Sequence, residues 1–156
     1  MKLARIAAVL AGILLAAPAL AQNTLDSLQM ARAEISSDRK AVIAGLMDFT
    51  DSESSAFWPV YNNYRDASRK IDDKMVSLVQ QADSSMTKMD MTKAQSLLDQ
   101  WMSLKAEKAS LRKTYIKQFA KTIPAMKLLR YYQVENKMDA VIEYALAENV
   151  PLVPTK

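Results

Sequence analysis

Residues 49–82 read FTDSESSAFWPVYNNYRDASRKIDDKMVSLVQQA, and this stretch decides the architecture. Thr50 followed by Glu53 spells a capping box: the threonine hydroxyl accepts from a free N–H of the first turn, and the glutamate reaches back to the threonine N–H. Phe57, Tyr61, Tyr64, Ser68, Ile71, Met75, Leu78 and Ala82 then recur at alternating four- and three-residue steps. That is the spacing of a coiled-coil seam. It predicts one helix of about 30 residues, roughly 45 Å long at 1.5 Å per residue. Pro59 falls inside the helix, removes one backbone hydrogen bond and predicts a kink.

Outward from this helix the same logic repeats. Asp83 to Asp90 is a Ser/Thr/Met/Asp linker, after which Asp90 or Thr92 caps a further helix running to about Lys121. Its seam is Ala94, Leu97, Trp101, Leu104, Lys108, Leu111 and Tyr115, with Phe119 close by. Two helices of matching spacing joined by a short linker form an antiparallel hairpin. Upstream, Leu28, Ala31, Ile35, Val42 and Leu46 mark a helix from Thr24 to about Met47. Its dense charge between Glu34 and Lys40 places it on a surface. Downstream, Pro124 opens a last helix that continues to about Asn149. Val150 to Pro154 holds two prolines and is read as an extended tail. The fold class is therefore all-α: a long antiparallel hairpin with flanking N- and C-terminal helices. Helices this long in so short a chain do not all bury their apolar faces in one bundle. Either the monomer is curved and exposes an apolar, basic concave face, or two copies pack as a homodimer; such a patch marks an interaction site.

The N-terminus carries an address. Lys2 and Arg5 precede the apolar run Ile6 to Ala17, and Ala19-Leu20-Ala21 is a small-residue cleavage signal before Gln22. The pattern is that of a cleaved secretory signal peptide. The expected organisation is residues 1–21 signal, 22–149 a single helical domain and 150–156 the tail, in a periplasmic location without a transmembrane anchor. The whole chain has a formal charge of +4; loss of Lys2 and Arg5 leaves 19 basic against 17 acidic residues. That near balance argues against nucleic acid as a partner.

Composition removes most site chemistries. There is no histidine and no cysteine, and the only glycine after residue 21 is Gly45. A phosphate-cradling loop needs several glycines. Zinc, haem and most redox centres need His or Cys, and disulfide support is absent. Ser-x-x-Lys occurs at Ser37/Lys40, Ser85/Lys88 and Ser110/Lys113, without the Ser-Asp-Asn and Lys-Thr-Gly partners that penicillin-recognising enzymes use. The reading is a non-enzyme without cofactor or metal. Met86, Met89 and Met91 in the linker supply thioethers suited to Cu(I), and equally to gap-filling or promiscuous binding.

An exported, helix-dominated, cysteine-free chain with a helix start at Phe49-Thr50-Asp51-Ser52-Glu53 resembles the Spy/CpxP superfamily of periplasmic proteins, whose signature is Leu-Thr-x-x-Gln. Here Phe stands for Leu and Glu for Gln. A second copy falls at Ile123-Pro124-Ala125-Met126-Lys127, which keeps the helix start and loses the Thr and Gln. Phe57-Trp58-Pro59-Val60-Tyr61 with Gln133-Val134-Glu135-Asn136-Lys137 is similar to a proteobacterial secreted subgroup of that neighbourhood. The resemblance implies a curved hairpin that dimerises into a cradle. It further implies binding of unfolded clients without ATP, or reporting of envelope stress.

The residues assigned to client binding lie on the helix after the linker: Trp101, Leu104, Lys105, Lys108, Leu111, Arg112 and Tyr115. Apolar members would hold greasy segments, while the cations speed encounter. Against this stands a solvated charged face. Glu135, Asp139 and Glu143 form an acidic row at four-residue steps, suited to pairing with that basic row or to solvent. Trp58 beside Pro59 reads as a space-filling aromatic or as a gripping lip. The expected function is an ATP-independent chaperone-like or envelope-stress adaptor protein acting on unfolded or envelope proteins. The alternatives are a structural or regulatory protein with one specific envelope partner, and a Met-based copper binder.

Overall fold

The computed structural model describes residues 38–148 and 152–153. Among the described residues the chain forms four α-helices and no strand, as the periodicity predicts. Helix α1 covers 38–47, α2 Asp51–Ser84, α3 Met91–Phe119 and α4 Ala125–Glu148. One turn of 3₁₀ helix, Met86–Lys88, lies between α2 and α3. The signal-peptide reading and the part of the first helix before residue 38 lie outside the described residues. Of the tail, Leu152 and Val153 are described; they have no regular structure and are exposed.

The caps explain the helix starts. Glu53 N donates to Thr50 Oγ1 at 3.2 Å and Thr50 N donates to Glu53 Oε2 at 2.8 Å, so both halves of the capping box are present. Asp90 Oδ1 accepts from Lys93 N at 2.7 Å and starts α3. Helix α2 runs uninterrupted through Pro59, whose side chain is exposed, so the lost bond lies on the solvent face. Pro124 is the capping residue of α4 rather than its first helical residue: Leu128 N donates to its carbonyl at 2.9 Å.

The hairpin is antiparallel. Lys108 meets Asp72 at 2.7 Å and Glu107 meets Lys74 at 3.0 Å. Further along, Tyr115 packs on Tyr64 and Phe119 on Phe57, with ring centroids 5.4 and 5.1 Å apart. Helix α4 runs back along α3, tied by Arg112–Asp139 and by Lys105–Glu143 at 3.2 Å. The four helices meet at the end of the hairpin remote from its linker. There Phe57, Tyr61, Tyr64, Phe119 and Tyr131 form a buried aromatic core with Ile43, Met47 and Ile123. Burying each such side chain contributes about 1.5–3 kcal/mol. Along the hairpin Ile71 and Leu78 of α2 are buried; past the described end of α4 at Glu148 the hairpin continues toward its linker as a two-helix arm. On α3 the predicted seam is only half-buried or exposed until Phe119 closes it.

Helix α1 departs from the sequence reading. Its buried face is Arg39, Ile43 and Met47, while Leu46, assigned to the stripe, is 42% exposed. Of its charged end, Asp38 and Lys40 are exposed as expected, but Arg39 is 2% exposed. The cause is ionic: Arg39 is paired inside the fold, so a charge occupies a core position and hydropathy alone misses the phase. The turn after α1 is made by Asp48 at φ 45°, a left-handed position that Asp tolerates better than most residues. Gly45 instead sits within α1, with nothing within 4 Å of where a Cβ would project.

Candidate functional site

The seven residues assigned to client binding share one helix, α3, but not one free surface. Trp101, Leu104, Leu111 and Tyr115 are half-buried in the hairpin seam. The three cations are engaged within the fold. Lys105 reaches Glu143 on α4, Lys108 reaches Asp72 on α2, and Arg112 binds Asp139 on α4. Arg112 also lies over the Tyr132 ring, 5.8 Å from its centroid.

The row that contacts α4 continues past it. Stepping from Lys105 by three and then four residues along α3 gives Met102 and Leu98, which are 61% and 55% exposed. Two further turns on, Met91 is 89% exposed at the start of α3. By the Lys105–Glu143 register these exposed side chains lie at and past the last turn of α4, which ends at Glu148, beside half-buried Leu97, Trp101 and Leu104. The arm therefore presents a narrow apolar strip on a long helical support.

The acidic row of α4 divides by depth. Glu143 is exposed, in keeping with a solvated row, but Glu135 and Asp139 are buried. Arg39 bridges them: Nη1 donates to Glu135 Oε2 at 2.6 Å and Nη2 to Asp139 Oδ1 at 2.5 Å. Arg65 approaches Glu135 Oε1 at 3.8 Å. Three helices thus send guanidinium groups to two carboxylates one turn apart on a fourth. Burial pushes the Glu135 carboxyl up, and Arg39 and Arg65 offset this only partly. Burial also pushes Asp139 up, but Arg39, Lys108 and Arg112 together hold it below the ordinary carboxylate range. Burial pulls Arg39 down, and Glu135 with Asp139 more than restores it. Burial raises the Tyr61, Tyr64 and Tyr131 phenols around the cluster.

The sequence carried a signal for this layer in the spacing of Glu135 and Asp139. It carried none for Arg39, which sits in a charged run that resembles a solvated face. The cavity beside the layer is lined by Tyr64, Arg112, Phe119, Tyr131 and Glu135 among others. It has room for about 10 Å³, one water-sized sphere, far below the hundreds of Å³ of a small-molecule site.

Lys127 joins the two helix starts that carry the family resemblance. Its Nζ donates to Glu53 Oε2 at 2.5 Å and to the Asp48 carbonyl at 2.7 Å. That contact, with the Thr50 N–H, holds the Glu53 carboxyl below its ordinary value. Trp58 is half-buried against the aromatic core and donates from Nε1 to Ser54 Oγ at 2.9 Å, which suits the space-filling reading. Met86 and Met89 are half-buried and Met91 exposed at the tip of the hairpin.

Among the described residues no three His, Cys, Asp or Glu side chains are grouped to hold a metal ion. No described helix is long and apolar enough to cross a membrane. No protein-family model, curated protein or solved structure matches the chain.

Proposed function

We propose that the protein is a periplasmic, ATP-independent chaperone-like or envelope-stress adaptor that binds unfolded or partner proteins along the arm of its hairpin. The observation that carries this reading is the uncovered strip Leu98–Met102, continuous with half-buried Leu97, Trp101 and Leu104. An exposed apolar strip on a helical hairpin offers reversible contact to a greasy segment without covalent chemistry. Sequence features add the rest: the signal-peptide pattern supplies the compartment, and the capping-box resemblance to the Spy/CpxP superfamily supplies the class.

The test is light scattering from an aggregating, denatured client with and without residues 22–156. Suppression near one-to-one stoichiometry is expected without ATP. Leu98→Asp with Met102→Asp should abolish suppression while leaving the helical circular dichroism intact, because both side chains are exposed. Reversing Lys105, Lys108 and Arg112 is a poorer test, since it removes the partners of Asp72, Asp139 and Glu143 and strands buried Asp139. Wild-type suppression by the Asp variant would remove the arm from the reading. Internal pairing of the three cations favours a second reading, one specific envelope partner, because it weakens non-selective charge steering. Pull-down from envelope extract separates the two by yielding one stoichiometric species or a broad set.

A further inference from the structure

The aromatic core holds more polar atoms than it pairs. Tyr131 Oη and Glu135 Oε1 have no hydrogen-bond partner, and both residues are only 3% exposed. The Tyr61 hydroxyl, the Ser68 hydroxyl and Arg39 Nε are buried and unpaired as well. A buried polar group without a partner is costly, and nearly all such groups in folded proteins find one in protein or in ordered solvent. Tyr131 and Glu135 both line the small cavity between α2, α3 and α4.

The chemistry of the lining selects the occupant. Glu135 Oε1 needs a donor, and Tyr131 Oη can donate or accept. An anion is disfavoured beside the Glu135 carboxylate, and a cation is disfavoured among Arg39, Arg65 and Arg112, all of which act on that carboxylate. A neutral species that both donates and accepts suits both atoms, and the room of about 10 Å³ admits one water.

We propose that a single internal water is a resident ligand of this site, donating to Glu135 Oε1 and accepting from Tyr131 Oη. The Tyr61 hydroxyl, also buried and unpaired, is a further candidate partner, its ring centroid 6.2 Å from that of Tyr131. The water then hydrates the half of the Glu135 carboxylate that Arg39 leaves unbonded.

A crystal structure of the 22–156 chain at about 1.5 Å, where ordered buried waters are well defined, tests the assignment. The expected result is a water peak within hydrogen-bond distance of both oxygens, lost or displaced in Tyr131→Phe. In solution, solvent-to-protein NMR cross-relaxation at the Tyr131 ring should carry the sign of a long-lived bound water, and Tyr131→Phe should remove it. Direct hydrogen bonding of Tyr131 to Glu135 with no intervening peak, or only fast-exchanging solvent contact at the Tyr131 ring, would overturn the proposal. Neither readout depends on client binding.

Discussion

Arg39→Met is the most informative single substitution. It keeps much of the aliphatic stem and deletes the guanidinium. Two charge-assisted hydrogen bonds disappear, at 2.6 Å to Glu135 and 2.5 Å to Asp139, each worth about 1.5–3 kcal/mol. Removing one partner of a buried ion pair costs about 3–5 kcal/mol because the other charge is stranded. Two features hold the loss to the lower end of that range. Asp139 keeps Arg112, and Glu135, whose carboxyl is already pushed up by burial, can bind a proton instead of remaining charged.

The expected loss is about 3 kcal/mol at neutral pH. It should be larger at higher pH and smaller near pH 5. A carboxyl whose folded value lies above its unfolded one contributes stability that is lost as pH rises through the folded value. Urea unfolding followed by circular dichroism reads the effect directly; with a slope of about 1–3 kcal/mol per molar, the midpoint falls by about 1–3 M. Arg39→Met/Glu135→Gln should recover part of the loss, with a coupling of about 0.5–3 kcal/mol between the sites. A loss within about 0.5 kcal/mol, the range of ordinary surface substitutions, would refute the buried ionic layer.

Three further predictions concern the backbone and pH. Gly45→Ala, in an exposed stretch of α1 with open space at the Cβ position, should stabilise by about 0.5–1 kcal/mol. Asp48→Gly should add about 1 kcal/mol or less by relieving the left-handed turn; a drop in thermal midpoint would contradict the assigned helix for Gly45→Ala and the assigned turn for Asp48→Gly. Asp139 and Glu135 should act on pH dependence in opposite senses. Asp139 lies below its ordinary value, so its stabilisation is full above the unfolded value and lost as pH falls through the folded one. Glu135 lies above its ordinary value, so its contribution is full at low pH and lost as pH rises. Urea midpoints from pH 3 to 7 should show Asp139→Asn flattening the acid limb and Glu135→Gln flattening the decline toward neutrality; the same sign from both would overturn the assignment.

The hairpin was legible because local rules agree there. Thr50, Glu53 and Asp90 cap as written, and the α2 seam from Phe57 to Leu78 is apolar enough to reveal its phase. The short 3₁₀ turn at Met86–Lys88 was not legible, since its residues carry no distinctive turn signal. Helix α1 misled because its deepest side chain is an arginine, and hydropathy has no means of scoring a charge neutralised by residues about a hundred positions away. The α3 binding face was legible as a list of residues but not as a surface. Whether Lys105, Lys108 and Arg112 face solvent depends on Asp72, Asp139 and Glu143, which other helices deliver.

The separation of 100 residues between Arg39 and Asp139 also bears on the order of events in time. The α2–α3 hairpin needs only contacts close in sequence and can form early. The aromatic base closes only when both ends of the described chain are present, and so carries the loop-closure cost of a non-local fold. A chain emerging N-terminus first holds Phe57, Tyr61 and Tyr64 only partly covered, by Tyr115 and Phe119, until Tyr131 arrives. Truncation within α4 should therefore leave a helical rod with an open end, prone to association, rather than a smaller version of the same protein.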